Sequence, residues 1–213
     1  MRVRVNGSPI GGEDTREHAW RAAVAAEAGR RKIAKVGSVG LAFVLEPGRR
    51  VDIDNLARPV LAGLRDAGWF SRGYGTLDVL VVTKQHGDNV GVDVAANIEM
   101  PELDDDEAIQ IVSKNAIPSE GKSEMKHAWR EAVRASWGKP PIEGDVTVEL
   151  GFRTKRSLVD LLKPNIDGLE PILGRDPRGR LEFCPLDDKI TRLVAWRIQG
   201  DVSLIARVSS SRS

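Results

Sequence analysis

Five aspartates in this chain could together carry out metal-dependent chemistry. Asp52 and Asp54 lie in the first half of the sequence, and Asp167, Asp187 and Asp188 lie in the second half. Mg²⁺ prefers oxygen ligands and keeps several waters when one or two carboxylates bind it. A metal held in this way activates water for attack on a phosphodiester, while a nearby cation stabilises charge on the phosphate. These five residues are therefore the candidate catalytic residues.

The same residues also have an ordinary structural interpretation. Aspartate at the start of a helix satisfies free backbone amides, and exposed aspartates often pair with arginines. For an Asp-x-Asp-Asn fragment alone, capping and surface pairing are the more frequent roles. The surrounding sequence has to decide between the two interpretations.

The surrounding sequence is internally duplicated. Residues 18–24, which read HAWRAAV, match residues 127–133, which read HAWREAV. After a short insertion in the second copy, a new offset pairs residues 52–56 (DIDNL) with residues 165–169 (NIDGL). A repeat of about 110 residues is long enough for a small domain and too long for a solenoid unit.

The duplication predicts an α+β fold built from two tandem copies. We expect copy one at residues 1–99 and copy two at residues 109–208. The acidic, proline-containing stretch at residues 100–108 predicts a linker, and residues 209–213 predict a flexible tail. Because the apolar patterns of the copies match, we expect the copies to pack about a pseudo-two-fold axis.

Each copy is expected to begin with a short strand and a helix. Asp14 or Thr15 signals the start of the helix in copy one, and Ser123 signals it in copy two. Trp20 and Val24 stand four residues apart and share one helix face, as do their counterparts in copy two. This face is expected to be buried.

Alternating apolar residues predict the strands that follow. Residues 39–45 alternate strictly in copy one, and residues 190–197 form a later strand in copy two. A short extended segment after the first of these strands would place Asp52 and Asp54 on one face. Asp54 or Asn55 is then expected to cap a helix. The carboxylates would lie where the strand meets this helix.

Composition limits the function. Lys and Arg number 32 against 31 Asp and Glu, for a net charge of +1, so nucleic acid would have to be bound by local clusters. The single cysteine, Cys184, excludes an internal disulfide and a cysteine-based zinc site. No apolar run approaches the roughly 18 residues of a membrane span, and no signal peptide is evident. We therefore expect a cytoplasmic protein that does not contact membranes.

Local clusters of basic residues do occur. They are Arg30, Arg31, Lys32 and Lys35; Arg49 and Arg50; Arg153, Lys155 and Arg156; and Arg175, Arg178 and Arg180. Such runs are often no more than solvated loop charges. Their alternative role is contact with phosphates.

The wider pattern of copy one resembles the RusA-like family of Holliday junction resolvases. That family has an Asp-x-Asp-Asn-Leu motif followed by a lysine, an aromatic residue after a helix, an Asp-Asp pair before a strand and a basic residue at the end of that strand. Copy one supplies residues 52–56, Arg58 at the lysine position, Trp69 after the helix and Lys84 at the strand end.

Copy two resembles other parts of the same pattern. It supplies residues 163–167 (KPNID), Phe183, residues 185–190 (PLDDKI) and Arg197. It keeps the Asp-Asp pair, which copy one lacks, and it has Asn165 in place of the first aspartate. Copy two therefore has the fuller set of carboxylates and is expected to carry the main site.

The resemblance implies a Mg²⁺-dependent endonuclease that resolves four-way junctions or related branched DNA, with Mn²⁺ as a substitute metal. The fused copies would form the family's dimer within one chain, and further oligomerisation would not be required. The implied metal ligands are Asp52, Asp54, Asp167 and Asp188, with Asp187 as a further catalytic residue. The implied DNA contacts are Arg58, Lys84, Lys163, Lys189 and Arg197.

Three alternatives stay open. A catalytically degenerate protein could bind junctions without cutting them, because the motif is divided between the copies. An interaction protein with no nucleic-acid role would fit the near-zero net charge. Finally, a nuclease site could draw carboxylates from both copies rather than from one.

Overall fold

The structure is a computed structural model that describes residues 1–11, 16–31, 33, 36–103, 108–115 and 117–211. Asp14, Thr15, Lys32 and Lys35 lie outside the described residues, as does the 104–107 part of the expected linker. The chain divides into two compact units, Met1–Pro101 and Glu102–Ser213, and each contains both helices and strands. The boundary falls within the stretch that was expected to link two copies.

Unit 1 is a four-stranded mixed sheet with two helices. Its elements are β1 (Arg2–Asn6), α1 (Glu17–Gly29), β2 (Ser38–Leu45), α2 (Ile53–Asp66), β3 (Ser71–Tyr74), β4 (Val79–His86) and β5 (Gly91–Ala96). The strand order is β1-β5-β2-β4, in which β2 and β4 are parallel and the other pairs are antiparallel. Alternate residues of β2 from Val39 to Leu45 are buried, as the sequence predicts.

Unit 2 repeats this order of strands. Its elements are β6 (Ile109–Ser113), α3 (Ser123–Trp137), β7 (Val146–Phe152), α4 (Leu158–Asp167), α5 (Glu170–Leu173), a 3-10 turn (Asp187–Lys189), β8 (Ile190–Arg197) and β9 (Leu204–Ser210). The strand order is β6-β9-β7-β8, again with one parallel pair, β7 with β8. Trp20 of α1 and Trp129 of α3 are both buried.

The segment that carries the first two aspartates is helical rather than extended. Asp52 is the N-cap residue of α2, and Asp54 lies in the first turn, so the expected shared strand face is wrong. The apolar residues from Ile53 onward recur at helical spacing, and all are fully buried. They are Ile53, Leu56, Ala57, Val60, Leu61 and Leu64. The helical period of these apolar residues extends over more positions than the two-residue alternation around Ile53, so the segment forms a helix.

Helix α4 of unit 2 corresponds to α2 of unit 1. The offset between these two helices differs from the one that the match of DIDNL with NIDGL suggests. Pro59 stands six residues after the first residue of α2, and Pro164 stands six residues after the first residue of α4. Residues 56–59 (LARP) therefore match residues 161–164 (LLKP). Both helices also begin after a polar N-cap residue, which is Asp52 in unit 1 and Ser157 in unit 2.

Close packing between helices supports this register. A Cβ on Gly63 would lie 2.8 Å from the Cβ of Val24 in α1, and a Cβ on Gly168 would lie 2.0 Å from the Cδ1 of Trp129 in α3. Each glycine therefore lies where its helix contacts the preceding helix. The structural counterpart of Asp54 is Val159, so the pairing of Asp54 with Asp167 is wrong.

The end of the described chain is also more ordered than expected. β9 continues to Ser210, which pairs with Val146 of β7, and the Ser211 amide donates a hydrogen bond to the Asp145 carbonyl at 2.8 Å. Ladder hydrogen bonds with β7 thus extend into the segment that was expected to be a flexible tail. Residues 212–213 lie outside the described part of the chain.

Candidate functional site

Two carboxylates of unit 1 lie together at the start of α2. Asp54 is fully buried, and Asp52 is partly exposed. A carboxylate oxygen of one lies within 4.8 Å of a carboxylate oxygen of the other. The Asp52 carboxylate accepts a hydrogen bond from the Asn55 side-chain amide at 2.9 Å. Because the positive end of the helix dipole favours negative charge, this end of α2 is a suitable place for two carboxylates.

Two cationic side chains of unit 1 lie beside this pair. Arg58, one turn along α2, has a guanidinium nitrogen 3.9 Å from a carboxylate oxygen of Asp54. Lys84 of β4 donates a hydrogen bond to the Val51 carbonyl at 2.7 Å, next to Asp52 in sequence. The structure therefore brings together the four residues that copy one was expected to contribute: Asp52, Asp54, Arg58 and Lys84. We call them the α2 cluster.

The donor atoms of the α2 cluster suit a hard divalent cation such as Mg²⁺ or Mn²⁺. Ligands held at about 2.1 Å from Mg²⁺ lie at most about 4.2 Å from one another. The oxygens of Asp52 and Asp54 are no more than 4.8 Å apart, so a small side-chain adjustment would let both bind one ion. The pair could hold the metal, and waters could complete its shell.

The aspartates of unit 2 are instead neutralised by lysines. The Lys163 ammonium lies 2.7 Å from a carboxylate oxygen of Asp187 and 3.4 Å from one of Asp167. The Lys126 ammonium, from α3, lies 3.0 Å from the second oxygen of Asp167. Both aspartates are buried. We call Lys126, Lys163, Asp167 and Asp187 the lysine-aspartate cluster.

The position of Asp167 explains why it needs these partners. Asp167 is the last residue of α4, where the negative end of the helix dipole disfavours a carboxylate. Burial adds a further penalty for the charged form. Lys126 and Lys163 offset both effects, and a divalent cation would have to displace them to reach Asp167.

The remaining candidates in unit 2 contact the protein itself. Asp188 is half-buried in the 3-10 turn, and the Lys189 ammonium donates to the Ile142 carbonyl. Burial lowers the pKa of Lys189, while the charge of Asp188 acts in the opposite direction. Arg197 donates to the carbonyls of Thr154 and Arg156. Lys189 and Arg197 therefore help to hold loops in place.

Asn165 also has a structural role. It is fully buried, and its side-chain amide donates to the carbonyls of Leu161 at 2.6 Å and Pro118 at 3.3 Å. The Asn165 carbonyl in turn accepts a hydrogen bond from the indole of Trp129. Asn165 thus ties α4 to α3 and to the loop before α3.

Lys126 was missed by sequence reasoning. The sequence contained a signal for it, because the counterpart of Lys126 in the HAW repeat is Glu17, a charge reversal at one position of two matched helices. The role of Ser157 as an N-cap was missed for a different reason. The short DIDNL and NIDGL match suggested another alignment of the helices.

Comparison with known proteins adds no assignment: no protein-family model matches the chain, and no curated protein matches it. Within the described residues, no helix combines the length and the apolar character needed to cross a membrane.

Proposed function

We propose that this chain is a Mg²⁺-dependent endonuclease that acts on four-way junctions or related branched DNA, with Asp52 and Asp54 as metal ligands. The observation that carries the proposal is the proximity of these two carboxylates at the start of α2. The same residues belong to the Asp-x-Asp-Asn-Leu motif that resembles RusA-like resolvases. Mn²⁺ would serve as a substitute for Mg²⁺.

Each residue of the α2 cluster has a role in this proposal. A bound Mg²⁺ would supply an activated water and stabilise charge on the phosphate. Asn55 orients the Asp52 carboxylate through its hydrogen bond. The Arg58 side chain is 38% exposed and lies one turn from Asp54 on α2, so in this proposal it would contact the phosphate. Lys84 adds a second positive charge beside the two carboxylates.

We also propose that both units are copies of one RusA-like fold, joined in a single chain. The matching strand orders, the prolines of α2 and α4 and the close-packed glycines support this origin. Unit 2 would have replaced its metal-binding aspartates with Ser157 and Val159. Its contribution would be to bind DNA.

A second candidate function is junction binding without cleavage. The observation that favours it is the lysine-aspartate cluster, in which ammonium groups already lie against the Asp167 and Asp187 carboxylates. A protein in which lysines already neutralise the buried carboxylates of one unit could have lost catalysis altogether. The α2 cluster is the reason to prefer the nuclease.

The test is an assay with end-labelled four-way junction and with linear duplex, each in Mg²⁺ and in EDTA. We expect the wild-type protein to cut the junction in Mg²⁺ only, and Asp54→Asn to bind the junction without cutting it. Asp160→Asn is the matched control, because Asp160 is an exposed aspartate in the first turn of α4. Binding without cleavage by the wild-type protein would favour the second candidate, and absence of binding would exclude both.

A further inference from the structure

The loop between α5 and the 3-10 turn has a defined backbone path. The Asp176 amide donates to the Cys184 carbonyl at 2.8 Å, and the Leu186 amide donates to the Gly174 carbonyl at 2.9 Å. Arg175 and Pro185 also form an isolated antiparallel bridge. Residues 174–186 therefore form a hairpin-like projection, which we call the tip loop.

Side chains hold the far end of the tip loop in place. The Arg175 guanidinium donates to the carbonyls of Leu181 and Glu182, each at 2.7 Å, and to the Glu170 carboxylate at 3.1 Å. Gly179 packs so tightly on Cys184 that a Cβ at this position would lie 2.6 Å from the sulfur. A larger residue at position 179 would displace the turn.

The tip loop is anchored on α3 through Phe183. The Arg130 guanidinium lies 4.6 Å from the centre of the Phe183 ring, and the ring of His127 lies 5.0 Å from it. The Lys126 ammonium is 5.6 Å from the same ring centre. Because Lys126 also binds Asp167, the base of the tip loop adjoins the lysine-aspartate cluster.

The end of the tip loop presents an apolar side chain between arginines. Leu181 is 72% exposed, the highest value among the exposed large hydrophobic residues of the described chain. Arg180 is exposed beside it, and the Arg178 side chain is 80% exposed. Single exposed leucines are ordinary. Leu181 differs because it lies in a loop whose backbone is ordered by a network of hydrogen bonds. Ordering this backbone costs conformational entropy, and the exposed leucine buries little surface to offset that cost.

We propose that the tip loop contacts branched DNA, with Leu181 inserted between bases at the branch point and with Arg178 and Arg180 bound to flanking phosphates. Apolar side chains on minor-groove proteins enter base steps in this way and unstack them. Unstacking requires least energy where pairing is already disturbed, so a branch point favours insertion over an intact duplex. The Arg178 side chain is 80% exposed, so in this proposal it would exchange its ion pair with Asp176 for one with a phosphate.

This inference rests on the DNA binding in the proposed function, but it does not depend on cleavage. It can therefore be tested in EDTA. The measurements are the affinity for a four-way junction and for linear duplex, together with the fluorescence of 2-aminopurine placed at the branch point. Unstacking raises this fluorescence.

We expect Leu181→Ser to weaken junction binding about tenfold, as loss of one base-stacking contact would, and to abolish the fluorescence increase. Affinity for linear duplex should change little. Val112→Ser is the matched control, because Val112 is another exposed apolar residue of unit 2, at 46% exposure, and lies on β6. It should behave as the wild-type protein does. Since Leu181 is mostly exposed, its substitution should leave the melting temperature unchanged.

Equal junction affinity and equal fluorescence for wild type and Leu181→Ser would overturn the inference while leaving the proposed function intact. A change in sedimentation without a change in DNA binding would instead assign Leu181 to contact between copies of this chain, and would also overturn it. Absence of DNA binding by the wild-type protein would reject both the inference and the proposed function.

Discussion

Helices α2 and α4 occupy equivalent places in their units but carry their buried aspartates at opposite ends. Asp54 lies in the first turn of α2, and Asp167 is the last residue of α4. The helix dipole stabilises a carboxylate at the first position and destabilises it at the second. The two aspartates are similarly buried, so burial does not distinguish their environments and the helix end does.

The cationic side chains near the two aspartates also differ. Near Asp54, a guanidinium nitrogen of Arg58 lies 3.9 Å from a carboxylate oxygen. Near Asp167, two ammonium groups lie at 3.0 and 3.4 Å, and one of them also binds Asp187. Asp167 therefore belongs to a structural ion cluster, whereas Asp54 would bind the metal in the proposed function.

A second difference lies on the central strand of each sheet. Glu149 of β7 is buried with carboxylate oxygens 3.6 Å from guanidinium nitrogens of Arg192 and Arg207. The corresponding position on β2 is Gly40, which lines a cavity of about 500 Å³ with Ala42 and other residues of unit 1. In unit 2, charged side chains therefore occupy this face of the strand. In unit 1, small side chains leave a cavity there.

The largest expected effect is on cleavage. Asp54→Asn should slow cleavage in Mg²⁺ by at least about a hundredfold, because in the proposed function it would remove a ligand charge from the metal that activates the water. The fuller carboxylate set of copy two had suggested Asp188→Asn as the more damaging change. The helix comparison predicts the reverse order, and rates for both variants at equal melting temperature would measure it. Equal losses would support the alternative in which both copies contribute carboxylates to one site.

The next effect is on the stability of unit 2. Lys163→Met should lower the free energy of unfolding by about 3–5 kcal/mol, because it leaves the buried Asp167 and Asp187 carboxylates without their shared cation. Urea denaturation followed by circular dichroism measures this loss.

Arg134→Met is the matched control for Lys163→Met. Arg134 pairs with Glu131, and both side chains are 57% exposed, so this change should cost about 0.5 kcal/mol or less. If the two variants were equally stable, the lysine-aspartate cluster would not be an important structural element.

The elements with long apolar patterns could be predicted from the sequence. The strand at Ile190–Arg197 was predicted with its bounds, and the alternation in β2 was confirmed. Such patterns extend over many residues, so several burial preferences agree on one periodicity. The chain divides between Pro101 and Glu102, within the acidic stretch that was expected to be a linker.

The register of the motif could not be predicted in the same way. DIDNL and NIDGL share three letters, but a match of this length does not determine which helix end they occupy. The correct register depends on Pro164 and on the contact of Gly168 with Trp129, which is a tertiary contact. The partnership of Lys126 with Asp167 was equally hidden, since it joins residues of different helices.

A smaller effect tests the helix register directly. Gly63→Ala and Gly168→Ala should each lower the free energy of unfolding by about 1–3 kcal/mol, because each added methyl group meets the preceding helix. Gly29→Ala is the control. A Cβ at position 29 meets nothing within 4 Å, and alanine is the better helix former by up to about 1 kcal/mol. Loss of stability in only one of the two variants would show that α2 and α4 are not equivalent.

The smallest expected effect is on the acid stability of unit 1. A hydrogen bond with the Ser8 side chain is the main cause that lowers the pKa of Glu46 from 4.5 to about 2, and Arg49 adds to the shift. Because the folded-state pKa is depressed, the stabilisation is present in full above pH 4.5 and is lost as the pH falls from 4.5 toward 2. Glu46→Gln should remove this part of the acid dependence without changing the dependence above pH 5. Since the Glu46 side chain is 42% exposed, solvent screening keeps the change small. Thermal melts of both proteins between pH 2 and 6 measure it, and parallel curves over that range would show that the Ser8 contact is absent in solution.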